Sequence, residues 1–383
     1  MCVGAAFEEF AAEQRNNCLK GVQWSPDGLC LLTASEDCQL RLFEPPTELP
    51  EDEPPGVHAS DSRSAPAEMR SVLQVRESGT IYDYAWYPYM DSNNPASCCF
   101  ISSSREQPIH LWDAYTGACR ASYIPYNHLD EVIAAQSVAF DPSGQRIFCG
   151  FERAIRIFDL TRPGRDCEML ATSATRRSRK GQRGIISCFA FAPDVPGLYA
   201  AGSYSGTIGV YSEGSADGLI VELSAHTGGV TQCAFSHDGR LLYSAARRDG
   251  AIRCWDVRMS CRVLATYERA CPTNQHVGFE LRGAQSEGLL SASQDGRVLI
   301  FDTNAPDRPP TTLLTFADAT NAVAAHPQLP LLAVAVGERR FPLSEEECAN
   351  GEDPYVNGLS VWRLPQVRQQ EHHEQEDVHE EAT

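Results

Sequence analysis

The chain has 383 residues, 42% of them apolar, and a formal net charge of −19. No run of about 18 apolar residues occurs, and the first nine residues lack the basic and apolar segments of a secretory signal, so a soluble intracellular protein with no membrane partner is expected. The acidic excess is local: windows 48–61, 345–353 and 371–383 hold 5, 5 and 6 acidic residues and neither Lys nor Arg, which leaves a near-neutral body able to carry basic ground.

Taken in order, the first apolar segment is Val3 to Phe10, followed by Leu19-Lys-Gly21 and Trp24-Ser-Pro-Asp-Gly28, a run that ends in a turn signal. The same signature, an aromatic residue before a Pro, Asp or Gly turn, recurs at Trp86-Tyr-Pro88, Phe140-Asp-Pro-Ser-Gly144, Phe191-Ala-Pro193 and Phe235-Ser-His-Asp-Gly239. It is fainter at Val277-Gly-Phe279 and Val323-Ala-Ala-His-Pro327. Each is followed by a short run ending in an aromatic residue: Leu40–Phe43, Ile109–Trp112, Ile155–Phe158, Ile208–Tyr211, Ile252–Trp255, Val298–Phe301 and Leu359–Trp362. Short apolar runs bounded by turn residues predict strands. Seven units, with first strands 44 to 62 residues apart, predict a repeat architecture that grows by adding sheets.

The fifth unit is the most complete. His226 precedes Val230–Phe235, and Asp-Gly turns at 238–239 and 249–250 separate that run from Leu241–Ala246 and Ala251–Asp256. Asp-Gly accepts the positive φ of a tight antiparallel hairpin. The unit resembles one blade of a WD-repeat propeller, and the resemblance implies a buried hydrogen-bonded tetrad of His226, Ser244, Asp249 and Trp255 that locks the blade. The expected fold class is all-β, a seven-bladed WD40 β-propeller over residues 19–365. Its ring must close, and the chain after Trp362 is too polar for an outer strand, so residues 1–18, through Val3 to Phe10, are expected to complete the seventh blade. Residues 45–70, 342–354 and 366–383 are rich in acidic, Pro or polar residues and read as flexible inserts and a disordered tail.

Fifteen cysteines with no CxxC pair, most within strands as at Cys149, Cys188, Cys233 and Cys254, read as small buried thiols and not as a disulfide or zinc framework. His372, His373 and His379 lie in the acidic tail, where a flexible setting argues against a metal site. Gly202-Ser-Tyr-Ser-Gly206 has Tyr where a nucleophile elbow needs Ser, and no Walker loop or HExxH occurs. No enzyme, cofactor or small-molecule substrate is expected.

In such a propeller the turns between second and third strands share one face with the blade-to-blade connections. Those turns carry Arg105, Arg153, Arg247 and Arg248, and the connections carry Tyr126, His128, Arg176 and Arg177. Only Lys20 and Lys180 among the 32 basic residues are lysines. Guanidinium planes fork phosphates and stack on bases, so arginines beside aromatic rings suit single-stranded RNA. Two alternatives stand beside this: loop charge neutralised by neighbours such as Glu106 and Glu152, and a protein-only scaffold, because propellers mostly bind proteins.

Stretches outside the general repeat add specificity. Thr80–Tyr87, Ser102-Ser-Ser-Arg-Glu106, Pro108–Ala114, Tyr126–Glu131, Arg162–Glu168, Gly184–Cys188, Thr273-Asn-Gln275 and His326–Ala333 resemble the WD-repeat telomerase Cajal body protein family over about residues 3–365. The resemblance implies a non-catalytic adaptor that recognises the terminal-loop box of box H/ACA small Cajal-body RNAs and of telomerase RNA. H/ACA ribonucleoprotein proteins and telomerase reverse transcriptase would be its protein partners. Nuclear localisation in Cajal bodies follows from the same likeness, with room for a cytoplasmic pool. The chain departs from the family pattern at Ser236-His-Asp-Gly239, which lacks the usual Pro, and it starts without the long N-terminal extension of animal members.

Overall fold

Short alternating runs cannot bury both faces alone, and here each set of four hydrogen-bonds into one antiparallel sheet that leans on its neighbours. The computed structural model describes residues 1–11, 17–46, 66–173, 181–213, 218–258, 262–283, 286–339 and 356–364. The chain opens with β1 (Cys2–Ala6) and one helical turn, α1 (Glu8–Ala11). Blade 1 contains β2 (Leu19–Trp24), β3 (Leu31–Ser35), β4 (Gln39–Phe43) and, after the short β5 (Ala67–Glu68), β6 (Ser71–Arg76). Blade 2 runs from β7 (Ile81–Trp86) through β8 (Cys99–Ser104) and β9 (Ile109–Asp113) to β10 (Cys119–Tyr123). Blade 3 has β11 (Ser137–Phe140), β12 (Arg146–Phe151), β13 (Ala154–Asp159) and β14 (Glu168–Ala171). Blade 4 has β15 (Ile186–Phe191), β16 (Leu198–Ser203), β17 (Thr207–Ser212) and β18 (Leu219–Ser224). Blade 5 has β19 (Val230–Phe235), β20 (Leu241–Ala246), β21 (Ala251–Asp256) and β22 (Val263–Glu268). Blade 6 has β23 (Phe279–Arg282), β24 (Gly288–Ser291), β25 (Arg297–Asp302) and β26 (Thr311–Thr315). Blade 7 is built from β27 (Thr320–Ala325), β28 (Leu331–Val336), β29 (Gly358–Arg363), β1 and β5. The protein is an all-β, seven-bladed propeller.

Closure differs from the sequence expectation in two details. β1 lies antiparallel to β29, with Ala6 opposite Leu359 and Cys2 opposite Trp362, but the strand stops at Ala6 instead of running to Phe10. Residues 8–11 turn into α1, which drops Phe10 into the core with its ring centroid 6.0 Å from that of Phe43. Phe7 lies against Gly358, a position with no room for a side chain, and the turn that follows carries Phe10 into the apolar cluster shared by blades 7 and 1. The second correction concerns residues 45–70, read as irregular: Ala67 and Glu68 form β5, parallel to β1, and Met69 is buried. Residues 47–65, 340–355 and 365–383 lie outside the described residues, and with them the remaining insert and tail readings and His372, His373 and His379. No helix of the described residues is long and apolar enough to cross a membrane.

There is no single core. Among the described residues, seven apolar clusters each join two neighbouring blades, as Leu32, Leu40 and Val75 of blade 1 meet Trp86 and Phe100 of blade 2. A ring of polar clasps between innermost strands repeats that linkage. The Gln23 amide donates to Tyr84 O at 3.2 Å, and Asp83 accepts from the Val138 amide at 2.9 Å. Ser137 and Ser187 donate to Ile186 O and Val230 O at 3.0 and 2.6 Å. Gln232 both donates to and accepts from Phe279, Glu280 accepts from the Ala325 amide at 2.6 Å, and Asn321 donates to Leu19 O at 2.7 Å. Every blade-to-blade interface therefore holds a side chain from one blade on the backbone of the next.

Within blade 5, Trp255 Nε1 donates to Ser244 Oγ at 2.7 Å, Ser244 lies 2.8 Å from His226 Nε2, and His226 Nδ1 lies 2.9 Å from Asp249 Oδ2. Arg253 Nη1 lies 2.6 Å from both His226 Nδ1 and Asp249 Oδ2 and donates to the carboxylate, so a guanidinium joins the tetrad at its His–Asp end. Burial, with the Arg253 charge beside it, lowers the His226 pKa against the pull of Asp249. Other blades use different residues. Glu77 accepts from Ser102 and, at 2.9 Å, from Ser104, while Trp112 donates to Ser102 and His110 sits 3.2 Å away. Gln182 in blade 4 accepts from Tyr211 OH at 2.9 Å and donates to Ala201 O and Thr207 O.

Ser244→Ala should cost about 1–3 kcal/mol by removing the partner of the buried Trp255 Nε1 and of His226 Nε2, measured by urea unfolding. A second expectation concerns pH. Enclosure by the inner strands pushes the Glu280 carboxyl up to about 7, whereas the unfolded chain releases that proton near ~4.3. The native state thus binds more protons across this window, and this group's contribution to stability falls as pH rises through it. Glu280→Gln keeps an acceptor for Ala325 and removes the ionisation. Its urea midpoint relative to wild type should therefore rise between pH ~5 and ~7 and level off above.

Candidate nucleic-acid interface

The tetrad and its counterparts end in the turns between second and third strands, and so they set what those turns present. In six blades the turn contains a left-handed residue: Cys38, Glu106, Arg153, Gly206, Arg248 and Gly296, with φ of 63°, 59°, 56°, 85°, 52° and 80°. Glycine adopts this conformation without steric cost, while other residues carry strain. Four of the six are not glycine, so blades 1, 2, 3 and 5 place side chains at the tip of a strained turn.

These turns surround one end of a central channel of about 830 Å³. Innermost strands supply Tyr82, Asp83, Thr231, Gln232, Glu280 and Asn321 to its wall, and the loop face adds Glu36, Tyr204, Arg247, Gln275, His276 and Arg339. Glu36 bridges Lys20 and Arg339, each at 2.9 Å, on the side of blades 1 and 7. On that side one carboxylate is shared by two cations.

The remaining arginines fall into distinct settings. Arg105 is exposed, and its Nε lies 3.1 Å from the equally exposed Glu106. Arg153 is half-buried with Glu152 at 4.0 Å, and Arg248 is exposed while its amide donates to Thr273 O at 3.0 Å. Such surface pairs contribute about 0–1 kcal/mol, which leaves the guanidiniums available to a stronger acceptor. Tyr126 is half-buried with the Arg165 guanidinium 4.8 Å from its ring centre, and Arg165 also reaches Asp130 at 3.1 Å. His128 is exposed in the same connection. Arg176 and Arg177 lie outside the described residues.

Arg247 stands apart. Its guanidinium carbon sits 3.7 Å from the Tyr204 ring centre, a stack between the turns of blades 5 and 4, and both residues line the channel. The structure brings Arg247 together with Tyr204, while Arg105, Arg153 and Tyr126 contact Glu106, Glu152 and Arg165 in their own neighbourhoods. Sequence reasoning named Arg247 as a site residue and left Tyr204, a turn residue of the same face, out of the site. It also missed His276, three residues past a family-like segment's start at Thr273. Of the cysteines singled out, Cys149, Cys188, Cys233 and Cys254 are buried free thiols.

Comparison with known proteins assigns the chain's relatives. The family model described as WD domain, G-beta repeat, matches residues 13–44 and 218–256. A human protein named telomerase Cajal body protein 1 is 44% identical over 356 residues, 92% of this chain and 62% of that protein. A Drosophila melanogaster protein named telomerase Cajal body protein 1 homolog is 32% identical over 372 residues, 95% of this chain and 64% of its own length. A Schizosaccharomyces pombe protein named guanine nucleotide-binding protein negative regulator 1 is 27% identical over 366 residues, 89% of this chain and 86% of that protein. The chain thus spans less than two thirds of the first two relatives, and the shared part is the propeller. With seven sheets in a ring and this similarity along almost their whole length, the chain belongs to the WD-repeat telomerase Cajal body protein family.

Proposed function

We propose that the propeller is a non-catalytic RNA-binding adaptor, which recognises the terminal-loop box of H/ACA-type small Cajal-body RNAs and of telomerase RNA on its loop face. The observation that carries this reading is the set of arginines at that face, Arg105, Arg153, Arg247 and Arg248, presented from rigid turns. Tyr126 and His128 supply stacking surfaces nearby, and Arg176 and Arg177 add phosphate contacts. The names of the human and fly relatives support a telomerase and Cajal-body setting. In that setting H/ACA ribonucleoprotein proteins and telomerase reverse transcriptase are the protein partners, and the protein acts in the nucleus. Arg105 is the residue assigned to base reading: its ion-pair partner among the described residues, Glu106, is as exposed as itself, so exchanging that partner for a base edge costs little. The second reading, a protein-only scaffold, draws on the fission-yeast relative, whose name describes a regulator of a protein.

Binding of a cognate loop and of a box-mutated loop, at two salt concentrations, separates these readings. Arg105→Ala should lose about 1–3 kcal/mol on the cognate loop and discriminate less, whereas Arg176→Ala with Arg177→Ala should weaken both loops alike and reduce the salt dependence. Failure of the wild-type propeller to bind either loop would leave the scaffold reading; normal discrimination by a folded Arg105→Ala protein would move base reading elsewhere on the face.

A further inference from the structure

We infer that the channel mouth between blades 4, 5 and 6 is a slot for one unpaired nucleobase, stacked on Arg247 and read along its edge by His276 and Gln275. The inference deepens the RNA-binding reading and rests on it.

Three observations carry it. First, Arg247 is held by stacking and not by an ion pair: Tyr204 lies under it at 3.7 Å, its Nε is enclosed without a hydrogen-bond acceptor, and among the described residues no carboxylate pairs it. The other arginines of the face have acidic neighbours or, like Arg248, point to solvent from a turn tip. A guanidinium flattened on a tyrosine is a planar, cationic platform, the surface on which a splayed base stacks.

Second, the opposite wall is pinned from behind. The side chain of Arg269 is buried, and its guanidinium donates to Val277 O at 2.7 Å, Gly278 O at 2.9 Å and Ser291 Oγ at 2.9 Å. This fixes the backbone that follows His276. Gln275 is held on the other side, where it accepts from the Arg339 amide at 3.1 Å and donates to Asn321 Oδ1 at 3.4 Å. The Arg248 amide bonds Thr273 O, so the turn that carries Arg247 and the loop that carries His276 are tied to each other. A site built this way is organised before its ligand arrives, which limits the ordering cost of binding.

Third, the His276 ring lies in the channel mouth, where the enclosing wall and the charges of Arg269 and Arg247 lower its pKa, so at physiological pH it offers one donor and one acceptor. That is the complement of a base edge, and a phosphate would be better met by a protonated ring. The channel volume of about 830 Å³ leaves space for one base, with backbone phosphates held outside by the exposed arginines.

The test is a cycle of protein and RNA changes. A cognate terminal-loop RNA is compared with copies made abasic at each loop position in turn, bound to wild type, Tyr204→Leu, Arg247→Lys and His276→Ala, with thermal unfolding as the folding control. One abasic position should weaken wild-type binding roughly tenfold. The same position should have no effect in Tyr204→Leu or Arg247→Lys, because each removes half the platform. His276→Ala should retain the stacking effect and accept a changed base there. Photo-crosslinking of 4-thiouridine loops to the unaltered protein, mapped to peptides containing Tyr204, Arg247 or His276, answers the same question without a variant. If the loop binds but no abasic effect couples to Tyr204 or Arg247 and no crosslink falls in those peptides, the slot is wrong while RNA binding stands. If wild type binds no loop, both fall together.

Discussion

The wedge between neighbouring blades is the constraint on which everything else depends. The apolar faces of each sheet are covered by the adjoining sheets, so the seven clusters are the core. The clasps from Gln23, Asp83, Ser137, Ser187, Gln232, Glu280 and Asn321 fall on the same interfaces. Each contributes modestly, about 0.5–1.5 kcal/mol net. Their larger effect is geometric, since a side chain bonded to a neighbour's backbone fixes the relative height of two sheets that apolar contact alone would let slide.

A ring of wedges has two further consequences. It must close without a free edge, and the chain meets this with two layers: β1 completes blade 7, and β5 covers β1. Glu9 ties the closure to blade 1, accepting from the Ser71 amide at 2.9 Å and from Gln74 at 2.7 Å. The ring also leaves a central channel, because seven innermost strands cannot meet at a point. The clasps bind the innermost strands to one another, and what reaches the mouth from the turns is then free to differ from blade to blade.

That freedom is visible in the charge pattern. The formal charge of −19 says nothing of the loop face, where acidic and basic groups alternate in local pairs such as Arg105 with Glu106 and Arg165 with Asp130. Exposed pairs of this kind are weak and screened by salt, so they keep the face soluble without committing its guanidiniums. Arg247 differs in setting: it lies on the Tyr204 ring, and among the described residues no carboxylate pairs it.

Much of the fold was legible in the chain because a WD blade is a local object. Strands, turns and the positions of His226, Ser244, Asp249 and Trp255 all lie within 30 residues of one another, and alternation plus Asp-Gly punctuation encodes them directly. What the sequence did not disclose involves residues from different sheets. Glu77 replaces histidine in blade 2 through contacts with Ser102, Ser104 and His110 that no spacing rule marks. Phe10 leaves the strand pattern to join a cluster with Leu359 and Val361, hundreds of residues later. The candidate site divides in the same way: arginines in turns can be read from the repeat register, whereas the stack of Arg247 on Tyr204 and the buried Arg269 behind His276 arise only when blades 4, 5 and 6 are set side by side. Local periodicity determines the blades; packing between them decides which side chains share a surface.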